Sequence, residues 1–160
     1  MAGSPEVAPA PFREHRTRVR PEWVDYNGHM NDAAYAAVLG DANEALLEAL
    51  GLSAAYRDRT GAAMFTVESH IRYLAECTLG QLLTAASLLV SADARKLRVC
   101  TELLDDQGEP VATGEFLYLH VDSGRVTAMP EDRQREVSAV LAAHSALPRP
   151  DYLGRGIGAA

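Results

Sequence analysis

The sequence is poor in the features that indicate a membrane protein, a disulfide-stabilised protein or a nucleic-acid-binding protein. Charged or turn-forming residues interrupt every apolar run, so none approaches the roughly 20 residues that a membrane-spanning helix needs. The two cysteines, Cys77 and Cys100, lack metal-site or redox spacing, and we expect both to be reduced and structural. The net charge of -7 argues against a nucleic-acid partner, which requires a positive field.

Metal ligands and export signals are lacking as well. The histidines are scattered without the spacing of metal ligands, so neither a metal nor a redox cofactor is predicted. The first residues have no basic start and no apolar middle, so we expect a flexible leader over residues 1–12 of a cytoplasmic protein. A length of 160 residues with 48% apolar residues predicts one domain, over 13–147, and an irregular tail over 148–160.

Apolar periodicity predicts one long helix followed by antiparallel strands. Between Asp32 and Leu50 apolar residues recur every three or four positions, and Gly51 ends the helix. Gly40, in the middle of this helix, indicates tight packing against a sheet. Short polar connections separate four strand-like runs, at 64–74, 82–90, 97–104 and 111–121. We also expect a strand broken near Pro21 over 13–24, a polar loop over 57–62 and a second amphipathic helix over 131–144.

This order of elements predicts an α+β fold in which an antiparallel sheet wraps one central helix, as in the hotdog architecture. Such a sheet leaves one edge strand unpaired and one face thinly covered. We therefore expect a homodimer, or a dimer of dimers, in which sheets join edge to edge.

The turn that leads into the long helix contains a group of residues suited to catalysis. A helix N-terminus offers free N–H groups and a positive dipole end, which stabilise the oxyanion formed when a thioester carbonyl is attacked. Asp25 could attack that carbonyl or activate a water, and the sequence leaves both routes open. Asn27 could position the water or favour a left-handed turn, while Asn31 caps the helix in either case.

Five residues of this turn and helix, Asp25, Gly28, His29, Asn31 and Tyr35, match the signature D-x-x-G-H-x-N-x-x-x-Y. The chain resembles the 4-hydroxybenzoyl-CoA thioesterase-like branch of the hotdog superfamily over roughly residues 15–125, about the size of a domain. The resemblance implies an acyl-CoA substrate at a dimer interface and Asp25 as the catalytic carboxylate. It also implies an oxyanion contact at a backbone N–H near Asn31 or Asp32. His29 would orient the substrate, although a histidine in a turn is more often structural.

Two further groups of side chains are open to two interpretations. Four polar residues alternate along the predicted strand 64–74: Thr66, Glu68, His70 and Arg72. Their face is either wet or ion-paired across the dimer, or Glu68 and His70 reach the partner's Asp25 turn. A basic group, Arg95, Lys96 and Arg98, either holds the CoA phosphates or is a solvated hairpin end.

Within the branch, the runs VDYNGHMND, FTVESHIRYL and ATGEFLYLHVD look most like the thioesterases of carnitine catabolism, which are associated with betainyl-CoA. Tyr35 of the signature is expected to line the substrate site. The quaternary ammonium would lie on aromatic faces near a carboxylate, and the candidates are Trp23, Tyr26, Tyr73 and Glu68, unless these are core residues. A hotdog dehydratase or hydratase, and a non-catalytic acyl-CoA-binding protein, are the alternatives.

Overall fold

The predicted long helix is present as α1, Asp32–Ala49, in the computed structural model, which describes residues 10–158. Gly51, with φ of 68°, follows in the left-handed conformation that commonly ends helices. Gly40 is exposed and a Cβ there would meet nothing within 4 Å, so the prediction of tight packing at Gly40 is wrong. One face of α1 lies in the core, because its buried residues recur at the three- and four-residue spacing of a helix. These buried residues are Ala34, Tyr35, Val38, Leu39, Ala42, Asn43, Leu46 and Leu47.

Six strands of the described chain form one antiparallel sheet: β1 Arg16–Arg18, β2 Ala63–Tyr73, β3 Leu82–Ala92, β4 Lys96–Leu104, β5 Pro110–Asp122 and β6 Arg125–Val126. Their order in the sheet is β1-β3-β4-β5-β2, with β6 paired to β5. All four long predicted strands are present, each within two residues of its predicted ends. Strand β2 lies at the end of this order, so one of its edges is unpaired.

Helix α1 packs against one face of the sheet, called the inner face here, and the opposite face is the outer face. A short buried polar chain joins the two layers: the Thr101 hydroxyl donates to Asn43 Oδ1 at 2.7 Å and bonds the Ser87 hydroxyl at 2.9 Å. Apolar side chains surround this chain, and Leu39, Leu46 and Leu103 are at 0% exposure. An antiparallel sheet wrapped around one central helix is the predicted hotdog architecture.

Three segments differ from their predictions. The predicted loop 57–62 lies mostly in a short helix, α2, Ala54–Thr60, which buries one residue, Tyr56. The predicted strand 13–24 is reduced to β1 and a 3-10 turn at Pro21–Trp23, because proline fits the first position of a helical turn and cannot donate to a sheet. Phe12 is buried and exchanges two backbone hydrogen bonds with Ser87, so it belongs to the fold rather than to a leader.

The C-terminal part of the described chain packs onto the sheet. The predicted second helix is confirmed as α3, Glu131–His144, with Val137 and Val140 buried. After it, residues 148–158 form turns, as expected of an irregular tail, yet Tyr152 is buried and the Gly154 N–H donates to Glu115 at 2.8 Å. The predicted leader residues 1–9 lie outside the described residues. No helix among residues 10–158 is long and apolar enough to cross a membrane.

We expect the substitution Gly114→Ala to lower the free energy of unfolding by about 1–3 kcal/mol, the usual cost of overpacking a core. A Cβ at Gly114 would lie 2.5 Å from a ring carbon of Phe116 and 3.2 Å from Cδ1 of Leu39. Urea denaturation followed by circular dichroism measures the change. Gly156→Ala is the control, since a Cβ there meets nothing within 4 Å. Equal stability of the two variants would contradict this packing.

Candidate active site

The turn before α1 is closed by its own backbone and fixes the position of Asp25. The Asp25 N–H donates to the His29 carbonyl and the Gly28 N–H donates to the Asp25 carbonyl, both at 3.0 Å. The left-handed residue of this Asn-Gly turn is Gly28, with φ of 81°, and Asn27 itself does not take that conformation. The Asn27 N–H donates to Asp25 Oδ1 at 2.8 Å, which holds the carboxylate in an Asx turn.

The carboxylate of Asp25 keeps one oxygen available. The residue is half-buried, and it takes part in no salt bridge within residues 10–158. Its Oδ1 accepts the turn hydrogen bond, while Oδ2 accepts none in the same part of the chain. Asp25 is therefore neither turned fully into solvent nor neutralised by a neighbouring cation.

The first turn of α1 lies beside Asp25 because Asn31 holds the two together. Its side chain caps the helix by accepting from the Ala34 N–H at 2.9 Å, as predicted. Its backbone N–H and its amide both donate to the Trp23 carbonyl at 2.8 Å, two residues before Asp25. The Asn31 N–H is thereby occupied. Within the described chain the Asp32 N–H has no acceptor, so Asp32 offers the free donor of the two predicted positions.

The segment that follows β2 forms the other wall of the turn. The Met30 N–H donates to the Cys77 carbonyl at 2.8 Å, and the Tyr35 hydroxyl donates to the Ala75 carbonyl at 2.9 Å. Burial raises the pKa of Tyr35 well above its usual range, so this hydroxyl remains a neutral donor. Burial also raises the pKa of the Cys77 thiol, which agrees with an unreactive, structural cysteine.

Glu76 lies between these two hydrogen-bonded carbonyls, and no sequence motif predicted it as a site residue. Its Oε2 lies 3.2 Å from Nε2 of His29, and its side chain is 75% exposed. His29 and Glu76 are 47 positions apart, and no local sequence pattern around Glu76 indicates this contact. The turn thus has a second carboxylate, paired with the histidine of the signature.

The aromatic residues predicted to hold a quaternary ammonium are not gathered in one place. Tyr73 is half-exposed and meets Tyr35 edge to face, with ring centroids 5.5 Å apart, beside the anchored segment. Trp23 has the Arg20 guanidinium 4.7 Å from its ring centroid, so one of its faces is covered. Tyr26 is 96% exposed at the tip of the turn. Of the three, Tyr73 has an exposed ring next to the helix start.

The polar residues of β2 are divided between the two faces of the sheet. A bulge at Val67 shifts the register between Thr66 and Glu68, so Thr66 pairs with Tyr118 and points inward. The prediction that Thr66 shares a face with Glu68 and His70 is therefore wrong. Glu68 and His70 lie on the outer face, in a cavity of about 260 Å³, and within one protomer they do not face the Asp25 turn. Their neighbours in this cavity include Arg98, Glu115 and Arg155.

The three predicted CoA-phosphate residues differ in their surroundings. Arg98 is ion-paired with Glu115 on the outer face of the sheet. Arg95 and Lys96 are exposed at the β3–β4 hairpin, where Lys96 lies 3.5 Å from Asp93. Lys96 pairs with Leu119 of β5, and Tyr73 pairs with Ala112 of the same strand. These two partners are seven residues apart, so at about 3.3 Å per residue the hairpin lies roughly 23 Å from Tyr73.

Comparison with known proteins identifies the family. A family model described as the thioesterase-like superfamily matches residues 19–141. The L-carnitine dehydrogenase/betainyl-CoA thioesterase of Agrobacterium fabrum is 45% identical over 92% of this chain and 30% of its own length. The betainyl-CoA thioesterase of Pseudomonas aeruginosa is 37% identical, covering 90% of this chain and 92% of its own. The chain spans about a third of the length of the first curated relatives that it matches.

Solved structures agree with this assignment. A Staphylococcus aureus protein determined in complex with CoA superposes with a TM-score of 0.84 and 27% identity, covering 89% of this chain and 92% of its own. A thioesterase-like protein from Pseudomonas putida has a TM-score of 0.79 and 30% identity, covering 91% of this chain and 94% of its own. The resemblance predicted from the signature around Asp25 is confirmed, and the chain belongs to the thioesterase-like superfamily.

Proposed function

We propose that this chain hydrolyses an acyl-CoA thioester to the free acid and CoA at the turn before α1. The observation that carries the proposal is the half-buried Asp25 carboxylate, with a free oxygen, beside the unoccupied Asp32 N–H at a helix start. A base or nucleophile and an oxyanion donor are the two parts that thioester hydrolysis requires.

Two routes use this arrangement. In the first, Asp25 removes a proton from water as the water oxygen attacks the carbonyl carbon. In the second, Asp25 itself attacks, the carbon–sulfur bond breaks to release CoA, and water hydrolyses the resulting mixed anhydride. In both routes the carbonyl oxygen becomes an oxyanion, which the Asp32 N–H and the positive end of the α1 dipole stabilise. His29 orients the substrate, and the Asn27 side chain positions water in the first route.

We further propose betainyl-CoA as the physiological substrate. The curated relatives that carry this activity in their names match almost the whole chain, one of them as a protein of similar length. The proposed chemistry needs no cofactor apart from the CoA of the substrate itself. We place the reaction in the cytoplasm, where the two free cysteines, Cys77 and Cys100, would stay reduced.

The proposed active unit is a homodimer, or a dimer of such dimers, joined through the free edge of β2. Large apolar side chains remain exposed along this strand and just after it: Phe65, Val67, Tyr73 and Leu74. An unprotected edge of 11 residues is a template for another strand. Antiparallel pairing of two β2 edges would bring the partner's hairpin, with Arg95 and Lys96, towards the Asp25 turn. We propose these two cations as the CoA-phosphate contacts.

A substrate panel tests the proposal. Thiol release is measured with betainyl-CoA, short-chain acyl-CoAs and an aromatic acyl-CoA, and hydration of an enoyl-CoA is followed in parallel. We expect hydrolysis, with the highest kcat/KM for betainyl-CoA. Hydration without thiol release would indicate a hydratase, and tight acyl-CoA binding without any turnover would indicate a binding protein. Either of these results would overturn the proposed function.

A further inference from the structure

The backbone of Glu76 is held at the Asp25 turn by hydrogen bonds to the residues on both sides of it. The carbonyls on both sides of it accept hydrogen bonds from the active-site wall, one at Ala75 from Tyr35 and one at Cys77 from Met30. Its backbone is therefore fixed against the start of α1. The carboxylate contacts His29 through Oε2, while Oε1 has no partner within residues 10–158. A negatively charged oxygen is thus presented at the site.

The proposed substrate places its charge where Glu76 can meet it. In betainyl-CoA one methylene separates the trimethylammonium from the thioester carbonyl, so the cation lies beside the attacked carbon. The cation subsite must then adjoin Asp25 and the helix start. Glu68, the carboxylate predicted for this role, lies on the outer face of the sheet and does not meet that requirement within its own protomer.

The half-exposed ring of Tyr73 supplies the apolar surface that a trimethylammonium also needs. Tyr73 is the last residue of β2, and Glu76 follows it by three residues. Tyr35 supports the Tyr73 ring edge to face at 5.5 Å and donates to the Ala75 carbonyl, so one buried side chain positions both. An aromatic ring and a carboxylate are the groups that recognise quaternary ammonium ligands.

We propose that Glu76, together with Tyr73, forms the subsite that selects an acyl group with a quaternary ammonium. This inference rests on the proposed function and adds the residue that determines its substrate class. Glu76 acts through charge and His29 orients its carboxylate. A neutral acyl group of the same shape gains nothing from that charge, so the effect of Glu76 is a difference between two substrates.

The carbon analogue of betainyl-CoA, 3,3-dimethylbutyryl-CoA, isolates the charge because it replaces the nitrogen by carbon. We expect wild-type kcat/KM to favour betainyl-CoA. Glu76→Gln should reduce the ratio of the two kcat/KM values about three- to fivefold, as expected for losing one charge contact of a largely exposed carboxylate. Glu76→Lys should reduce it further. Glu48→Gln, at the exposed far end of α1, makes the same change in net charge and should leave the ratio unchanged.

The outcomes separate this inference from the proposed function. Equal losses on both substrates, or an unchanged ratio in Glu76→Gln, would overturn the cation subsite and leave thioester hydrolysis standing. Hydrolysis of the carbon analogue without hydrolysis of betainyl-CoA would likewise overturn the cation subsite and leave thioester hydrolysis standing. A wild-type protein that cleaves neither thioester would overturn the proposed function and the subsite with it. Circular dichroism checks folding, and the 75% exposure of the Glu76 side chain predicts that both variants fold.

Discussion

Replacing Asp25 by asparagine is expected to lower kcat for thioester hydrolysis by about 10²–10⁴-fold, the range associated with a general acid or base. The variant removes the negative charge that we propose activates water or attacks the carbonyl. We expect KM to change little, because the Asp32 N–H and the CoA contacts remain. Thiol release, followed with a chromogenic thiol reagent at saturating substrate, measures the loss.

Asparagine is the informative replacement because it preserves the turn. Its amide oxygen can accept the hydrogen bond that the Asn27 N–H now donates to Asp25 Oδ1 at 2.8 Å. Loss of activity in a folded variant therefore reports on the charge rather than on the backbone. Asp41→Asn, an exposed position on α1, is the matched control and should keep wild-type activity. An Asp25→Asn protein with wild-type kcat would make Asp25 a turn residue and end the proposed mechanism.

The second large effect is expected from Val67→Asp, which should convert the proposed dimer into monomers. Val67 lies at the bulge near the middle of β2 and is 51% exposed. Antiparallel pairing of two β2 edges would place the new carboxylates close to each other and to Glu68. Like charges at an interface cost several kcal/mol, so the dimer dissociation constant should rise by at least about 10²-fold.

Sedimentation velocity over a range of concentrations measures the dissociation, and thiol release at the same concentrations measures activity. We expect activity to fall with the dimer fraction, since the CoA contacts are proposed to come from the partner. Val126→Asp is the matched control, because Val126 is 47% exposed on β6, away from the free edge. A Val67→Asp protein that remains dimeric would place the interface elsewhere, and an active monomer would make the partner unnecessary.

Sequence patterns predicted the helices, strands and caps that depend on interactions between residues close in the sequence. The periodicity of α1 and the four long strands follow from burial of one face, and the Asn31 cap follows from the chemistry of a helix start. Helix α2 was missed because seven residues with one buried side chain give no periodicity. The inward position of Thr66 was missed because strict alternation assumes a strand without a bulge, and the register breaks at Val67.

The site was predicted in part for the same reason. Asp25, His29 and Asn31 lie within seven residues, so one short sequence motif can identify all three. The contact between His29 and Glu76 joins residues 47 positions apart, and it exists because the end of β2 returns to the turn. The ion pair of Arg98 with Glu115, a residue on the neighbouring strand, was not predicted because the two residues are far apart in the sequence. Contacts between strands depend on register, which sequence spacing alone does not fix.

Single-turnover hydrolysis is the most direct test of the claim that the Asp25 carboxylate performs the chemistry. With Asp25→Asn protein in excess over betainyl-CoA and well above the dissociation constant, nearly every substrate molecule is bound, so the rate reports bond cleavage without binding or product release. We predict that the bound thioester is cleaved at least about 10²-fold more slowly than by the wild-type protein under the same conditions. Cleavage at the wild-type rate would contradict the account.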